Sequence, residues 1–328
     1  MRWRDVPVLV TGAGGFIGSH LVERLAGEGA AVTAFIRYTS RGDEGWLAAL
    51  PESVRSRVRV VRGDLRDPSA VAQAMAGSDT VFHLGALVGI PYSYVNPREV
   101  VDVNVLGTLN LLEAARTTKP RRVVHTSTSE VYGTAQTVPI AETHPLQAQS
   151  PYSATKIAAD KIAESYYRAF DVPVTVLRPF NTYGPRQSRR GVIPTIIAQA
   201  LHRQEIRLGS LWPMRDLTYV DDTVEGFLCA AAADVEGEQI HLGVGKAISV
   251  GDLAAKILAI LGKSVPVLSE DQRKRPEKSE VGRLLADNDL ARRHLGWTPR
   301  VSLDDGLART IAWLRDQSPA TKAEDYAV

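Results

Sequence analysis

Tyr152 stands four positions ahead of Lys156, and Thr128-Ser129-Glu130 lies a short way upstream. These residue types can do proton chemistry together. A phenol beside a lysine ammonium can be held as phenolate and take a hydroxyl proton, while a nearby carboxylate removes a second proton from carbon. The set has neither the thiol of a cysteine nucleophile nor the spacing of a metal-ligand cluster.

Local sequence gives these residues a scaffold. Ser150-Pro151 precedes Tyr152; serine caps a helix and proline suits its first position, which puts Tyr152 and Lys156 one turn apart on one helical face. Glu130 follows the apolar run Arg122–Thr126, a strand that ends in His125-Thr126-Ser127-Thr128-Ser129-Glu130-Val131-Tyr132-Gly133. Strand-length apolar runs recur at Val6–Thr11, Ala31–Ile36, Val58–Arg62, Thr80–Leu84, Val172–Leu177 and Gln239–Leu242, alternating with amphipathic helix-length segments. That alternation predicts an α/β fold with a parallel sheet covered on both faces, and ligands bind such sheets beyond the carboxyl ends of the strands.

Composition narrows the function classes. With 328 residues, 44% of them hydrophobic, the chain can bury a full core. The net charge of +2 is spread without a basic block, so neither a nucleic acid nor a membrane is the expected partner. The single cysteine, Cys229, sits in an alanine-rich run and reads as a buried structural thiol, which excludes a disulfide framework. Arg2, Arg4 and Asp5 lead straight into a strand without the pattern of a signal peptide, and no stretch is apolar enough to span a bilayer. The expected location is the cytoplasm. His83, His125 and His241 fall at strand ends and read as packed or hydrogen-bonded groups.

After the first strand, Gly12, Gly15 and Gly18 are spaced G-x-x-G-x-x-G, with Phe16 and Ile17 between the last two and a helix expected over Ser19–Ala26. Glycines here let the backbone turn tightly and approach a pyrophosphate at a helix N-terminus, a dinucleotide cradle. The second strand ends at Ile36 where NAD-binding chains carry an acid, and Arg37, Ser40 and Arg41 follow. A cation there suits a 2'-phosphate, so NADP is the expected cofactor and NAD the second choice; the plain alternative for Arg37 is a solvated loop residue. Asp64 and Leu65 follow the third strand in a G-D-hydrophobic pattern that resembles the one dinucleotide-binding families place at the adenine, although Asp64 could simply start a helix. Leu84, which ends the fourth strand, and Ala86 just beyond it complete the cofactor set.

A lone Y-x-x-x-K occurs on many amphipathic helices. Coupled to the glycine loop and to S-T-S-E-V-Y-G, it makes the chain resemble the nucleotide-sugar 4,6-dehydratases of the extended short-chain dehydrogenase/reductase superfamily, over nearly its whole length. The resemblance also rests on Ser150 to Asp160, Arg178 to Gln187, Arg215-Asp216 before Thr218-Tyr219-Val220-Asp221, and Arg275 to Val281. It is nearest to the enzymes making 4-keto-6-deoxy-N-acetylglucosamine nucleotides for legionaminic-acid-type sugars. GDP-mannose 4,6-dehydratases share the T-S-E form, as do UDP-glucuronate decarboxylases.

The resemblance implies a Rossmann-like doubly wound sheet (1–181 and 219–248) with a smaller nucleotide-sugar-binding domain (182–218 and 249–328). It implies that Tyr152, its pKa lowered by Lys156 and a nicotinamide ring, takes the sugar 4-hydroxyl proton, that Thr128 orients that hydroxyl, and that Glu130 removes the C5 hydrogen. Ser129 replaces the aspartate by which glucose-type relatives protonate the leaving hydroxyl, and serine is far too weak an acid for that part. Asn181, Arg186, Val192, Arg215, Arg275 and Glu277 are the implied substrate contacts, and helices around 100–116 and 152–170 the implied homodimer bundle. The implied substrate is UDP- or GDP-N-acetylglucosamine. A uronate decarboxylase, with Arg186, Arg189 or Arg190 on the carboxylate, a 4-epimerase and a non-catalytic dinucleotide sensor are the alternatives.

Overall fold

The structure is a computed structural model and describes residues 3–317. Met1, Arg2 and the end of the expected second domain lie outside them.

In chain order the strands are β1 Pro7–Thr11, β2 Ala31–Arg37, β3 Val58–Gly63, β4 Thr80–His83, β5 Arg122–Thr126, β6 Val174–Pro179, β7 Asn181–Tyr183, β8 Ile206–Leu208, β9 Met214–Tyr219, β10 Gln239–Leu242, β11 Ala247–Ser249 and β12 Val267–Ser269. The helices are α1 Phe16–Gly27, α2 Glu52–Arg55, α3 Pro68–Met75, α4 Ile90–Val95, α5 Pro97–Val101, α6 Gly107–Thr118, α7 Pro151–Phe170, α8 Val192–His202, α9 Val220–Ala232, α10 Val250–Leu261, α11 Asp289–Leu295 and α12 Leu303–Asp316.

Seven parallel strands form the main sheet in the order β10-β6-β5-β4-β1-β2-β3. The chain starts in the middle and winds outward both ways, so the strand order reverses between β1 and β4, the switch point at whose carboxyl ends such sheets take their ligands. Strands such as β1, β4 and β5 are buried on both faces by two helical layers. This is the doubly wound α/β fold expected.

Helix α1 starts at Phe16, earlier than Ser19, and takes in Gly18, where a Cβ would stand 2.2 Å from the Gly12 carbonyl oxygen. Gly12 turns the chain at φ 68°, a conformation only glycine adopts without strain. Strand β6 runs to Pro179 rather than stopping at Leu177, since Arg178 pairs in register with His241 of β10 and its charge is met inside the sheet. The single helix expected around 100–116 is interrupted by a π-turn, Asp102–Leu106, before α6. The turn places buried Asn104 where its amide accepts from Leu87 N (2.8 Å) and donates to Leu87 O and Thr155 Oγ1 (both 3.0 Å). Such bulges concentrate at functional sites.

The second half contributes a three-stranded sheet, β11-β9-β7, and the pair β8-β12. Residues 281–286 lie along β9, with Met214 N bonded to Gly282 O at 2.9 Å and Asp216 N to Leu284 O at 3.0 Å. Burial pushes the Asp216 carboxyl up to about 6, while backbone N–H groups of Val244, Gly245 and Ala286 donate to it and hold it down. Asp216 therefore ties the loop after β10 and the 281–286 strip to one strand. Among the described residues no helix is long and apolar enough to cross a membrane.

Candidate active site

Strand β5 delivers the first half of the site. Beyond Thr126 the chain makes a 3-10 turn, Ser129–Tyr132, that Thr128 caps by accepting the Glu130 N–H at 3.2 Å. The turn buries Ser129, Glu130, Val131 and Tyr132. Helix α7 delivers the second half. Ser150 Oγ accepts from Ser153 N and Ser153 Oγ from Ser150 N, both at 3.1 Å, which fixes the start of the helix and hence Tyr152 and Lys156. Both side chains are buried. Lys156 Nζ donates to Thr126 O at 2.6 Å, and Tyr152 is hydrogen-bonded to Thr128. Thr128, Glu130 and Tyr152 are thus brought together, with Lys156 one turn further along α7 and bonded to the end of β5.

The protein's own residues do not make Tyr152 a phenolate. Burial pushes its pKa well above the usual phenol value, the hydrogen bond from Thr128 pulls it down, and the charges of Glu130 and Asp160 push it up again. The expected lowering by Lys156 is absent, because the ammonium is turned to the Thr126 carbonyl. Burial brings Lys156 itself down to about 8, against a partial rise from Asp160. A folded-state value below the ordinary lysine value near ~10.4 means the unfolded chain binds more protons between those values, so stability rises with pH across that window. Denaturant titrations from pH 8 to 10 should show that rise, and Lys156→Met should remove this group's share of it.

Behind the site runs a buried polar chain that the sequence reading did not single out. Asp160 accepts from Ser127 Oγ at 2.8 Å and from Arg178 Nε and Nη2 at 3.1 and 3.0 Å. Arg178 Nη1 donates to the Tyr132 hydroxyl at 2.6 Å, which bonds His241 Nε2 at 2.5 Å. His241 Nδ1 faces the Asp287 carbonyl at 3.1 Å, an acceptor only, so Nδ1 carries the proton and Nε2 accepts from Tyr132. Burial lowers His241 to about 3, leaving it neutral. His83 lies between Thr11 Oγ1 (2.8 Å) and Thr108 Oγ1 (3.1 Å). His125 is buried 3.5 Å from Asp160. The three histidines are packed groups, as expected. The signal for the chain was Asp160, four residues after Lys156, beside an arginine inside a strand.

The glycine loop fits a dinucleotide. Gly15 caps α1 without a side chain, the first turn has no acidic residue, and a Cβ at Gly12 would lie 2.8 Å from Gly85 N. Leu65 packs against Gly85 and Gly107, and Leu84 N bonds to Thr11 O at 3.3 Å, so the Leu65 and Leu84–Ala86 loops border the cradle. Arg37 ends β2 with its side chain 66% exposed and 3.9 Å from Glu99; Ser40 is exposed nearby in sequence. Asp64 is turned to Arg66, whose Nε and backbone N both donate at 2.9 Å, which lowers its pKa. It is engaged locally, neither starting a helix nor free.

The substrate-side expectations divide. Arg275 Nη1 lies 3.6 Å from Glu130 Oε1, and Arg215 Nη2 lies 3.6 Å from Glu280 Oε1. Arg215 is buried and donates to Met214 O (3.0 Å) and Val281 O (2.9 Å), so it is no exposed partner of Asp216. Asn181 opens β7 with its Oδ1 buried and without a hydrogen-bond partner. Glu277 borders a cleft of about 410 Å³ with Arg275, Glu280, Lys274, Leu211 and Trp212. Arg186 departs from expectation: Glu23 of α1 accepts from it at 2.6 Å and Ser19 at 3.5 Å, so its charge is spent pinning the 184–187 turn to α1. Val192 is half-buried at the start of α8, packed on the core.

Two cleft residues were missed. Glu280 faces inward because Ser279 is buried and its hydroxyl bonds Gln149 O and Tyr94 OH. Trp212 is 61% exposed on the cleft wall. A large apolar ring beside a charged pair was the available signal. Cys229 is half-buried on α9 rather than fully buried. No cluster of metal-ligating side chains occurs among the described residues.

The family model described as GDP-mannose 4,6 dehydratase matches residues 9–310. The chain is 35% identical over 314 residues to a dTDP-glucose 4,6-dehydratase of an Actinoplanes species, covering 94% of this chain and 97% of that one. It is 34% identical over 316 residues to a UDP-glucose 4-epimerase of Mycolicibacterium smegmatis, covering 94% and 99%. Among solved structures, the dTDP-glucose 4,6-dehydratase of Streptomyces venezuelae with NAD and TYD bound superposes with TM-score 0.86 at 33% identity, covering 95% and 97%. The UDP-N-acetylglucosamine 4-epimerase of Methanobrevibacter ruminantium, in complex with UDP-N-acetylmuramic acid, does so with TM-score 0.87 at 27% identity, covering 96% and 100%.

Proposed function

Since the chain belongs to the GDP-mannose 4,6-dehydratase family of extended short-chain dehydrogenases/reductases, we propose that it is a nucleotide-sugar 4,6-dehydratase, acting on UDP- or GDP-N-acetylglucosamine. The observation that carries the reading is Glu130, a buried carboxylate held beside Tyr152 and Thr128. A 4-epimerase takes a hydride from C4 and returns it to the other face, so it has no step for a base at C5. A dehydratase needs one.

A nicotinamide dinucleotide in the glycine cradle supplies the hydride acceptor for C4 and the hydride donor for C6, and its positive ring favours the Tyr152 phenolate that the protein's own residues oppose. Tyr152 then takes the 4-hydroxyl proton while Thr128 orients that hydroxyl. Lys156, one turn away, is anchored on Thr126 O, and because the Tyr152 phenol is held above its usual value the oxidation rate should rise with pH as that phenol ionises. With C4 a ketone, the C5 hydrogen is acidic; Glu130 removes it and the 6-hydroxyl leaves as water. Ser129 cannot protonate that leaving group, so Glu130 passes it the C5 proton, serving as both base and acid, and once C6 has gained its hydrogen C5 is closed by a proton from solvent. Arg215, Arg275 and Asn181 hold the nucleotide sugar.

Arg37 at the end of β2, where an acid would suit NAD, supports NADP. The relative from Streptomyces venezuelae was solved with NAD, so Arg37→Ala should weaken NADP about tenfold or more and leave NAD unchanged. Exposed Val101, Leu106, Tyr167 and Phe170 along α5 to α7 support a homodimer, and β7, β9 and β11 with the 281–286 strip form the substrate side. Incubation with UDP-N-acetylglucosamine, its GDP counterpart and UDP-glucuronate, followed by product mass, tests the assignment. Loss of water from an N-acetylglucosamine nucleotide is expected. Loss of carbon dioxide from the uronate, or an unchanged mass with an inverted C4, would contradict it.

A further inference from the structure

Arg275 and Arg215 are held in opposite ways. Arg215 is fixed by two carbonyl acceptors at 3.0 and 2.9 Å. Arg275 is not: its Nη1 is buried, makes no hydrogen bond, and stands 3.6 Å from Glu130 and 4.0 Å from Glu280. Both distances exceed a hydrogen bond, so charge rather than directional bonding keeps the guanidinium there. Exposure falls from 27% for the Arg275 side chain to 10% for Glu130, which places the cation between the cleft and the carboxylate. Among these side chains the charges balance, Arg215 and Arg275 against Glu130 and Glu280. Lys274 also borders the cleft but is paired with Asp271 at 2.7 Å.

A nucleoside diphosphate entering the cleft brings at least two further negative charges. Arg215 cannot move without losing its carbonyls, whereas Arg275 has no hydrogen bond to lose at Nη1 and two stronger acceptors to gain. We propose that Arg275 is a positioning residue that latches Glu130 in the free protein and is drawn off it by the diphosphate of the nucleotide sugar, so that Glu130 is released as a base only when the cleft is filled. The inference rests on the nucleotide-sugar reading above. It makes binding and deprotonation two uses of one cation. A carboxylate held by an ion pair is a poorly placed base; the same group, freed beside a C5 hydrogen, is a competent one. Glu280, 4.0 Å from the same Nη1, keeps Arg275 from being lost to solvent during the exchange.

The latch predicts competition inside the protein, readable by binding alone. UDP and GDP are titrated calorimetrically into the full chain, into Glu130→Gln, Arg275→Met and the double variant. Glu130→Gln removes the internal competitor and should bind the preferred nucleoside diphosphate about five- to tenfold more tightly than the parent. Arg275→Met should bind more weakly, and adding Glu130→Gln to it should bring no gain. Arg275→Lys should keep part of the gain, which a purely structural role for Arg275 does not predict. Unchanged or weaker binding by Glu130→Gln would overturn the latch. So would a gain that persists in the Arg275→Met background, since that is only a general loss of negative charge. If neither nucleoside diphosphate binds the parent chain at millimolar concentration, the nucleotide-sugar reading itself falls, and the latch with it.

Discussion

Glu130→Gln is expected to leave C4 oxidation intact and to stop the reaction there, with turnover falling about 10²- to 10⁴-fold, the usual worth of a positioned general base. The substitution conserves shape and removes charge. Glu130 sits in a short 3-10 turn capped through its backbone N–H by Thr128, so the turn survives the change. Oxidation depends on Tyr152, Thr128 and Lys156, whose contacts with Thr126 and with each other do not involve the Glu130 carboxylate directly. Removing that charge also removes one cause of the raised Tyr152 pKa, so the oxidation step should start at slightly lower pH than in the parent. The variant should show reduced-nicotinamide fluorescence on adding substrate and no exchange of the C5 hydrogen with solvent. Full turnover by Glu130→Gln would show that another group is the base.

Tyr152→Phe should act one step earlier. Without the phenol the 4-hydroxyl loses its base: Thr128 is a neutral alcohol, Lys156 is turned to the Thr126 carbonyl, and Glu130 serves C5. An about 10³- to 10⁴-fold loss of kcat is expected, with no reduced nicotinamide at any time and little change in the affinity for a nucleoside diphosphate. The fold should be retained, because the aromatic ring stays buried and only the bond between the hydroxyl and Thr128 is lost. Circular dichroism and the denaturation midpoint check that the loss is chemical. Read as a pair, the two variants separate oxidation from elimination.

Much of this was legible in the sequence. The strands of the main sheet announced themselves because parallel strands buried on both faces read as unbroken apolar runs, and the Ser150-Pro151 start of α7 placed Tyr152 and Lys156 through local capping alone. Less legible were features decided by tertiary contact. Arg178 looked like the end of a strand and lies inside one, since Asp160 and Tyr132 meet its charge. The π-turn at 102–106 leaves no periodic signal, as it shifts one helix against itself to aim Asn104. Arg186 carried the right charge for a substrate contact, and only folding shows that Glu23 has claimed it. Tyr152 was expected to feel Lys156 by sequence spacing, but an ammonium points wherever its best acceptor lies, here Thr126 O. The short strands β7, β8, β11 and β12, three residues each, fall below the length at which alternation can be recognised.

The most direct test of the central claim is the fate of the C5 hydrogen. With the parent chain, a nicotinamide dinucleotide and UDP- or GDP-N-acetylglucosamine in deuterated water, mass spectrometry and proton NMR should find a 4-keto-6-deoxy product that has lost one water and carries one solvent deuterium at C5, none of which forms with Glu130→Gln. A product that keeps its oxygen count and its C5 hydrogen, with only the configuration at C4 changed, would contradict the account and make the protein a 4-epimerase.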